Sequence, residues 1–262
     1  MPLTVVADAD AVAAAAAERL TQLIELAIAV RGSAVVSLTG GSTPRRLYQL
    51  LGDASHPWRH RIDWTRLHLF WGDERHVPPD HRDSNFGMAR DALLQAVPIA
   101  AAQVHRMRAE LSDARDAARE YEVTLREGFT AAGRDNLRFD VMLLGLGEDA
   151  HIASIFPESE LLEEASGTGE ERVAAVWAAH LGAWRITLTP LALLDADLVL
   201  MVVAGEQKAA AVHAALRAPL DLGRYPAQLL RNASDRVEWI VDTPSAARLG
   251  DASNPVFLAS DL

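Results

Sequence analysis

The sequence contains no cysteine among its 262 residues. This absence excludes disulfide bonds, a thiolate nucleophile and cysteine-ligated metal sites. Lysine is almost absent as well, because Lys208 is the only lysine and the other basic residues of the chain are all arginine. A chain that uses arginine wherever either residue would serve keeps one lysine, which favours a need for a compact point charge at that position; the alternative is a lysine that has survived by chance.

Positive charge is in the minority, since the formal net charge is −11 and there is no basic run. Such a chain is not typical of proteins that bind nucleic acid or anionic membranes, so an anion could bind only at a local cluster of cations. No long hydrophobic run is present either: charged side chains interrupt the alanine-rich stretch 12–30, and no basic segment precedes an apolar run near the start. We therefore expect a cytoplasmic protein.

Half of the residues are apolar, which is ample material for a core. Short apolar runs alternate with helical patterns almost to the end of the chain. The expected strands are 3–6, 34–38, 67–71, 139–144, 173–177, 185–188, 197–203 and 237–241. This alternation predicts an α/β fold with a mainly parallel, Rossmann-like sheet, helices on both of its faces and a smaller α/β lobe. We expect residues 1–262 to form a single domain.

A glycine-rich turn, TGGSTP at 39–44, joins the second expected strand to a helix. Pro44 suits the first turn of that helix, and Ser42 or Thr43 can cap it. The free N–H groups and the positive dipole end of such a turn suit a phosphate, although an ordinary strand–helix connection also uses glycine. The turn is neither a serine-hydrolase elbow, which needs glycine where Pro44 stands, nor a Walker loop.

Four ionisable residues, Asp73, Glu74, Arg75 and His76, directly follow the third expected strand. A solvated loop with a local salt bridge would explain them. We favour a functional loop for two reasons. Like the glycine turn, it follows the carboxyl end of an expected buried strand, and it contains two prolines within the stretch 72–79.

The stretch 139–157 contains a buried strand, the glycine turn 145–147, and then Asp149 and His151. Ligand sites of open α/β sheets lie at the carboxyl ends of strands, so His151 is the first candidate for catalysis; the alternative is an ordinary loop histidine. The acidic loop 158–171 that follows is expected to be mobile.

Lys208 follows another expected strand and lies in the first turn of a helix, where it opposes the helix dipole at a cost of tenths of a kcal/mol. A bound anion would reverse that cost. If the strands are parallel, the four loops meet at one edge of the sheet. They would supply a phosphate cradle, an Asp-Glu-Arg cluster, an Asp–His pair and a lysine.

These segments resemble those of the 6-phosphogluconolactonase family, in the superfamily that also contains glucosamine-6-phosphate deaminase. The similar segments are SLTGGSTPRRLY (37–48), FWGDERHVPPDHRDSNFGMAR (70–90), LLGLGEDAHIASIFP (143–157), RITLTP (185–190) and VVAGEQKAAAV (202–212). The second segment is the most specific, because the deaminases have a different acidic loop there. One departure is Ala150, where the family usually has glycine.

The resemblance implies hydrolysis of 6-phospho-D-glucono-1,5-lactone to 6-phospho-D-gluconate in the oxidative pentose phosphate pathway, without metal or organic cofactor. His151 would be the general base and Asp149 would orient its imidazole or contact the sugar. Arg75 would stabilise charge on the lactone oxygen, or bind sugar hydroxyls together with Asp73. The residues expected to hold the 6-phosphate are Gly40, Gly41, Ser42, Thr43, Arg45, Arg185 and Lys208.

Three alternatives stay open. The chain could be an isomerase-deaminase of an amino sugar phosphate, a non-catalytic sugar-phosphate sensor, or an inactive paralogue for which Ala150 is the warning sign. The expected partner in each case is a small sugar phosphate, with no nucleic acid or membrane. The family is often monomeric, so we expect a monomer.

Overall fold

The computed structural model describes residues 1–164 and 171–250, together with the backbone of 257–258. The strands, numbered in chain order, are β1 (Leu3–Val6), β2 (Ala34–Leu38), β3 (Leu67–Trp71), β4 (Asp73–Arg75), β5 (Val141–Leu144), β6 (Val173–Ala178), β7 (Ala183–Leu188), β8 (Leu198–Val203), β9 (Val237–Asp242) and β10 (Phe257–Leu258). Residues 165–170, within the loop expected to be mobile, lie outside the described residues.

The α-helices are α1 (Ala9–Arg31), α2 (Ser42–Gly52), α3 (Pro57–Arg61), α4 (Asn85–Ala89), α5 (Ala114–Ala131), α6 (Leu161–Glu164), α7 (Pro190–Leu194), α8 (Ala209–Leu216) and α9 (Thr243–Ala246). A π-helical turn, Arg90–Leu94, follows α4, and 3₁₀ segments occupy Trp64–Arg66, Ala101–Gln103, Ala179–Leu181, Glu206–Lys208 and Pro226–Arg236. In the described ranges, no helix combines the length and the apolar character that crossing a membrane requires.

The strands form two sheets. The larger sheet has the order β10-β1-β9-β8-β5-β2-β3, and all of its strand pairs are parallel. The smaller sheet, β4-β7-β6, is antiparallel. The predicted α/β fold with a mainly parallel sheet and a smaller lobe is therefore confirmed.

Burial explains why the central strands could be recognised. Every residue of β2 and of β5 is buried, as expected for strands covered on both faces of a parallel sheet. β5 begins later than the expected strand, because Asp140 uses its carboxylate to accept the Val35 N–H at 2.7 Å and to pair with Arg31 and Arg134.

The chain passes from the large sheet to the small one at Gly72. Its N–H donates to Leu38 O of β2 at 2.9 Å, and its carbonyl accepts from Leu188 N of β7 at 2.8 Å. The next three residues form β4, so the prediction of a loop over 72–79 was wrong at this point. Because side chains alternate along a strand, Asp73 and Arg75 lie on one side of β4 and Glu74 on the other.

Two histidines pair beside the large sheet. His68 Nδ1 lies 3.1 Å from His105 Nε2, and the His105 ring stacks on Phe70 with 4.3 Å between ring centroids. Burial, followed by the charge of His68, lowers the pKa of His105 to about 4. Burial, followed by the charge of Arg134, also lowers the pKa of His68. Both rings are therefore neutral in the folded protein near neutral pH.

This pair should make the fold sensitive to mild acid. Histidine in an unfolded chain has a pKa near 6.5, above that of His105 in the folded state, so protons favour the unfolded chain. The stability is fully present above about pH 6.5 and is lost as the pH falls towards 4. We expect the free energy of unfolding to drop by roughly 1–2 kcal/mol between pH 7.5 and 5. Urea titrations at both pH values measure it.

The matched variant is His105→Gln, which keeps a hydrogen-bonding partner for His68 but removes one titrating ring. Its free energy of unfolding should change less over the same pH interval. An equal loss in parent and variant would show that other groups cause the acid sensitivity.

Candidate functional site

A cleft of about 260 Å³ opens at the carboxyl edge of the large sheet. Each of the four predicted loops contributes residues to its walls. The residues that the segment after β3 contributes, Asp73 and Arg75, belong to β4. The predicted site residues that line it are Gly40, Gly41, Ser42, Thr43, Asp73, Arg75, His151 and Lys208. Adjacency of β2, β5 and β8 in the sheet explains the convergence, because their carboxyl ends lie side by side.

His151 and Asp149 form a hydrogen-bonded pair. Nδ1 of His151 lies 2.6 Å from Oδ1 of Asp149, and the side chains are 31% and 40% exposed. Burial by itself raises the pKa of the Asp149 carboxyl, but the hydrogen bond and the charge of His151 outweigh it and hold that pKa at about 2. Asp149 is therefore a carboxylate at any ordinary pH, and it leaves Nε2 as the free nitrogen of the ring.

The turn that holds this pair depends on Gly147. A Cβ at Gly147 would lie 2.1 Å from His151 Nδ1 and 2.5 Å from Asp149 Oδ1, so a larger residue would displace both side chains. Ala150 has φ of 64°, which is the left-handed conformation that glycine adopts without strain. Alanine costs about 1 kcal/mol there. The turn is still formed, because Ala150 N–H donates to Gly147 O at 3.1 Å.

Asp73 and Arg75 face the cleft from β4. Asp73 is buried and accepts two hydrogen bonds, from Asn85 Nδ2 to Oδ1 at 3.2 Å and from Ser154 Oγ to Oδ2 at 2.7 Å. Arg75 donates to the carbonyl of Asp83, which fixes one side of its guanidinium.

Glu74 has a structural role on the opposite side of β4. Its carboxylate accepts from the backbone N–H groups of Arg75, Asn85 and Phe86 and from the hydroxyl of Ser84. Burial raises its pKa, against the effect of these hydrogen bonds. The charged cluster therefore divides into two cleft residues, Asp73 and Arg75, a buried anchor for the start of α4, and His76, whose Nε2 lies 2.8 Å from Leu111 O away from the cleft lining.

The start of α2 also lines the cleft, through Ser42, Thr43 and Pro44. The predicted cap by Ser42 or Thr43 was wrong: the N-cap is Gly41, with φ of 113° and no side-chain hydrogen bond. The two hydroxyl residues already lie in the first helical turn, so no side chain caps the helix start.

Lys208 lines the cleft at the end of the 3₁₀ segment that precedes α8. It is half-buried, and no carboxylate pairs with it among residues 1–164 and 171–250. Burial lowers the pKa of Lys208, while the charges of Glu148 and Asp149 oppose that effect.

Two predicted phosphate ligands do not line the cleft. Arg45 is exposed on α2. Arg185 lies on β7, opposite Arg75 in the β4–β7 register, where burial and the charge of Arg75 lower its pKa. Conversely, Asn85 and Gln207 line the cleft although the sequence did not single them out. Both lie inside segments that carried the family resemblance, and that was their only signal.

The fold and the cleft together define a class: an α/β protein with a small-molecule site at the carboxyl edge of a parallel sheet. The chain belongs to the glucosamine-6-phosphate isomerase/6-phosphogluconolactonase family, whose model matches residues 7–239.

Individual relatives agree with this assignment. A 6-phosphogluconolactonase of Streptomyces coelicolor is 38% identical over 260 residues, covering 94% of each chain. A 6-phosphogluconolactonase of Nostoc is 34% identical over 245 residues, covering 94% of this chain and 97% of the relative. The solved structure of 6-phosphogluconolactonase from Trypanosoma brucei superposes with a TM-score of 0.79 at 29% identity, covering 95% of this chain and 98% of that one. The resemblance read from the sequence is confirmed.

Proposed function

We propose that this chain is a 6-phosphogluconolactonase, which hydrolyses 6-phospho-D-glucono-1,5-lactone to 6-phospho-D-gluconate. The observation that carries the proposal is the imidazole of His151, which Asp149 holds from outside the lining and which lines one cleft with a guanidinium, an ammonium and an uncapped helix start. The names of the relatives favour the lactonase over the other activity of the family.

The anionic end of the substrate would bind where α2 begins. The uncapped N–H groups of Ser42 and Thr43 and the ammonium of Lys208 line the cleft, and a phosphate dianion accepts hydrogen bonds from both kinds of donor. This anchor would place the lactone carbon near His151, and a fixed reaction geometry can itself contribute several kcal/mol.

His151 would act as the general base. Because Nδ1 is bound to Asp149, Nε2 can take a proton from a water whose oxygen attacks C1 of the lactone. The carbonyl oxygen becomes an oxyanion. When the bond from C1 to the ring oxygen breaks, the imidazolium returns its proton to that oxygen. The carboxylic acid so formed ionises in solution, so no metal or covalent intermediate is required by the chemistry.

Two side chains would stabilise charge during these steps. Asp149 stays ionised, since its pKa is about 2, and so it stabilises the imidazolium. Arg75 lines the same cleft with its guanidinium held by Asp83 O, and it would face the developing oxyanion or the sugar hydroxyls beside Asp73.

The proposal is tested with lactone generated in place from glucose 6-phosphate by its dehydrogenase. An excess of 6-phosphogluconate dehydrogenase reports the product, and spontaneous opening is subtracted. We expect an acceleration proportional to the concentration of this protein. A rate equal to the blank would reject the lactonase, and release of ammonia from glucosamine 6-phosphate would support the deaminase instead.

A further inference from the structure

Ser154 joins the His151 loop to β4. It is buried, lies three residues after His151, and donates its hydroxyl hydrogen to Asp73 Oδ2 at 2.7 Å. Its backbone N–H donates to Thr187 Oγ1 at 3.2 Å. Thr187 is the residue of β7 that pairs with Asp73 in the small sheet. Both hydrogen bonds of Ser154 therefore tie the loop to one point of that sheet.

The other carboxylate oxygen of Asp73, Oδ1, is held by Asn85. Asn85 is buried and donates Nδ2 hydrogens to the carbonyl and to Oδ1 of Asp73, at 2.9 and 3.2 Å. Its amide also packs against Gly40, where a Cβ would lie 1.9 Å from Asn85 Oδ1. Asp73 thus connects the His151 loop to the glycine turn in front of α2.

The His151 loop needs such an anchor, because its backbone is not the one its residues prefer. Ala150 and Ala153 have φ of 64° and 48°, a left-handed conformation that alanine adopts only when its surroundings impose it. Ile152 and Ile155 are buried and hold the loop by apolar packing, but packing does not specify orientation as hydrogen bonds do.

We propose that Ser154 is a positioning residue that acts through Asp73 to set His151 relative to the substrate cleft. This inference rests on the proposed lactonase activity. Asp73 then has a second role besides facing the sugar. Its carboxylate is the fixed hydrogen-bond acceptor that holds the His151 loop through Ser154. A shift of about 1 Å in a catalytic group can lower a rate 100-fold, so loss of this hydrogen bond should be visible in kcat.

The test compares Ser154→Ala with Ser33→Ala. Ser33 is also buried and also donates one 2.7 Å hydrogen bond, to Ala132 O, but it precedes β2 at the far edge of the sheet. We expect Ser154→Ala to lower kcat at least tenfold. Hydrogen exchange of the amides in 147–155 should accelerate by a similar factor, while the Kd of inorganic phosphate stays within twofold. Ser33→Ala should change none of the three.

A kcat and a loop exchange rate in Ser154→Ala equal to those in Ser33→Ala would overturn the proposal. If the parent protein hydrolyses no lactone, the proposed function fails, yet the exchange of loop amides still decides whether Ser154 anchors the loop. Thr187→Val is the second variant, because it removes the acceptor of the Ser154 N–H from a strand position that suits valine, and otherwise loses only the hydroxyl's 3.0 Å hydrogen bond to Leu188 O. It should accelerate the same amides if Ser154→Ala does not fold.

Discussion

His151→Gln is expected to lower kcat for lactone hydrolysis by about 10²–10⁴-fold while KM changes by less than about threefold. Glutamine is close to histidine in size and can still accept a hydrogen bond, but it cannot take a proton from water. In the proposed complex the start of α2 and Lys208 hold the substrate phosphate, and this substitution changes neither, so the ground-state complex should survive. Initial rates at saturating lactone, corrected for spontaneous opening, measure the effect.

The control is His60→Gln, which changes an exposed histidine on α3 that makes one hydrogen bond, to Ala54 O, and does not line the cleft. It should retain the parent kcat. If His151→Gln also turns over near the parent rate, His151 is not the base. A parallel rise in KM would instead indicate that the variant has lost the shape of the cleft.

The fold could be predicted from local patterns because its central strands are buried on both faces. β2, β5 and β8 are short runs of apolar, mostly β-branched or aliphatic residues bounded by turn residues, which is the pattern of a strand covered on both faces. β4 has no such pattern. It is three charged residues long, and its partner β7 lies more than a hundred positions further along the chain, so only the tertiary structure reveals it.

The same distinction applies to the site. Loops after neighbouring parallel strands must meet, and therefore His151 and Lys208 could be placed around one cleft from the sequence, with Asp149 bound to His151. The proposed role of Ser154 could not be predicted, because its partner Asp73 is 81 positions away. The neighbouring sequence does not distinguish this serine from the other serines of the chain. Arg185 was assigned by family resemblance, and the register of β4 and β7 places it beside Arg75, although it does not line the cleft.

The N-cap of α2 decides whether backbone donors are free at the cleft, and here the prediction from sequence was wrong. A cap by Ser42 or Thr43 would have satisfied backbone donors that a phosphate needs. With Gly41 at the N-cap and no side-chain acceptor, these donors are left for a ligand. The remaining positive charge at this end of the cleft is Lys208, and its half-buried ammonium has no carboxylate partner in the described ranges.

Lys208→Ala is therefore expected to raise KM for the lactone by roughly 10–100-fold, the range that corresponds to one hydrogen bond to a charged group, with a smaller change in kcat. Inorganic phosphate should inhibit the variant more weakly by a similar factor, because the contact that is lost is to phosphate and not to the sugar.

Lys208→Arg keeps the charge but replaces a compact ammonium by a longer planar group, so it should recover only part of the affinity. Arg217→Ala is the matched control, since it removes a positive charge from an exposed position at the other end of α8. If Lys208→Ala and Arg217→Ala have the same KM, long-range charge accounts for the effect and Lys208 does not touch the phosphate. If KM rises only in Lys208→Ala, the single lysine of this arginine-rich chain is retained for direct contact with the substrate anion.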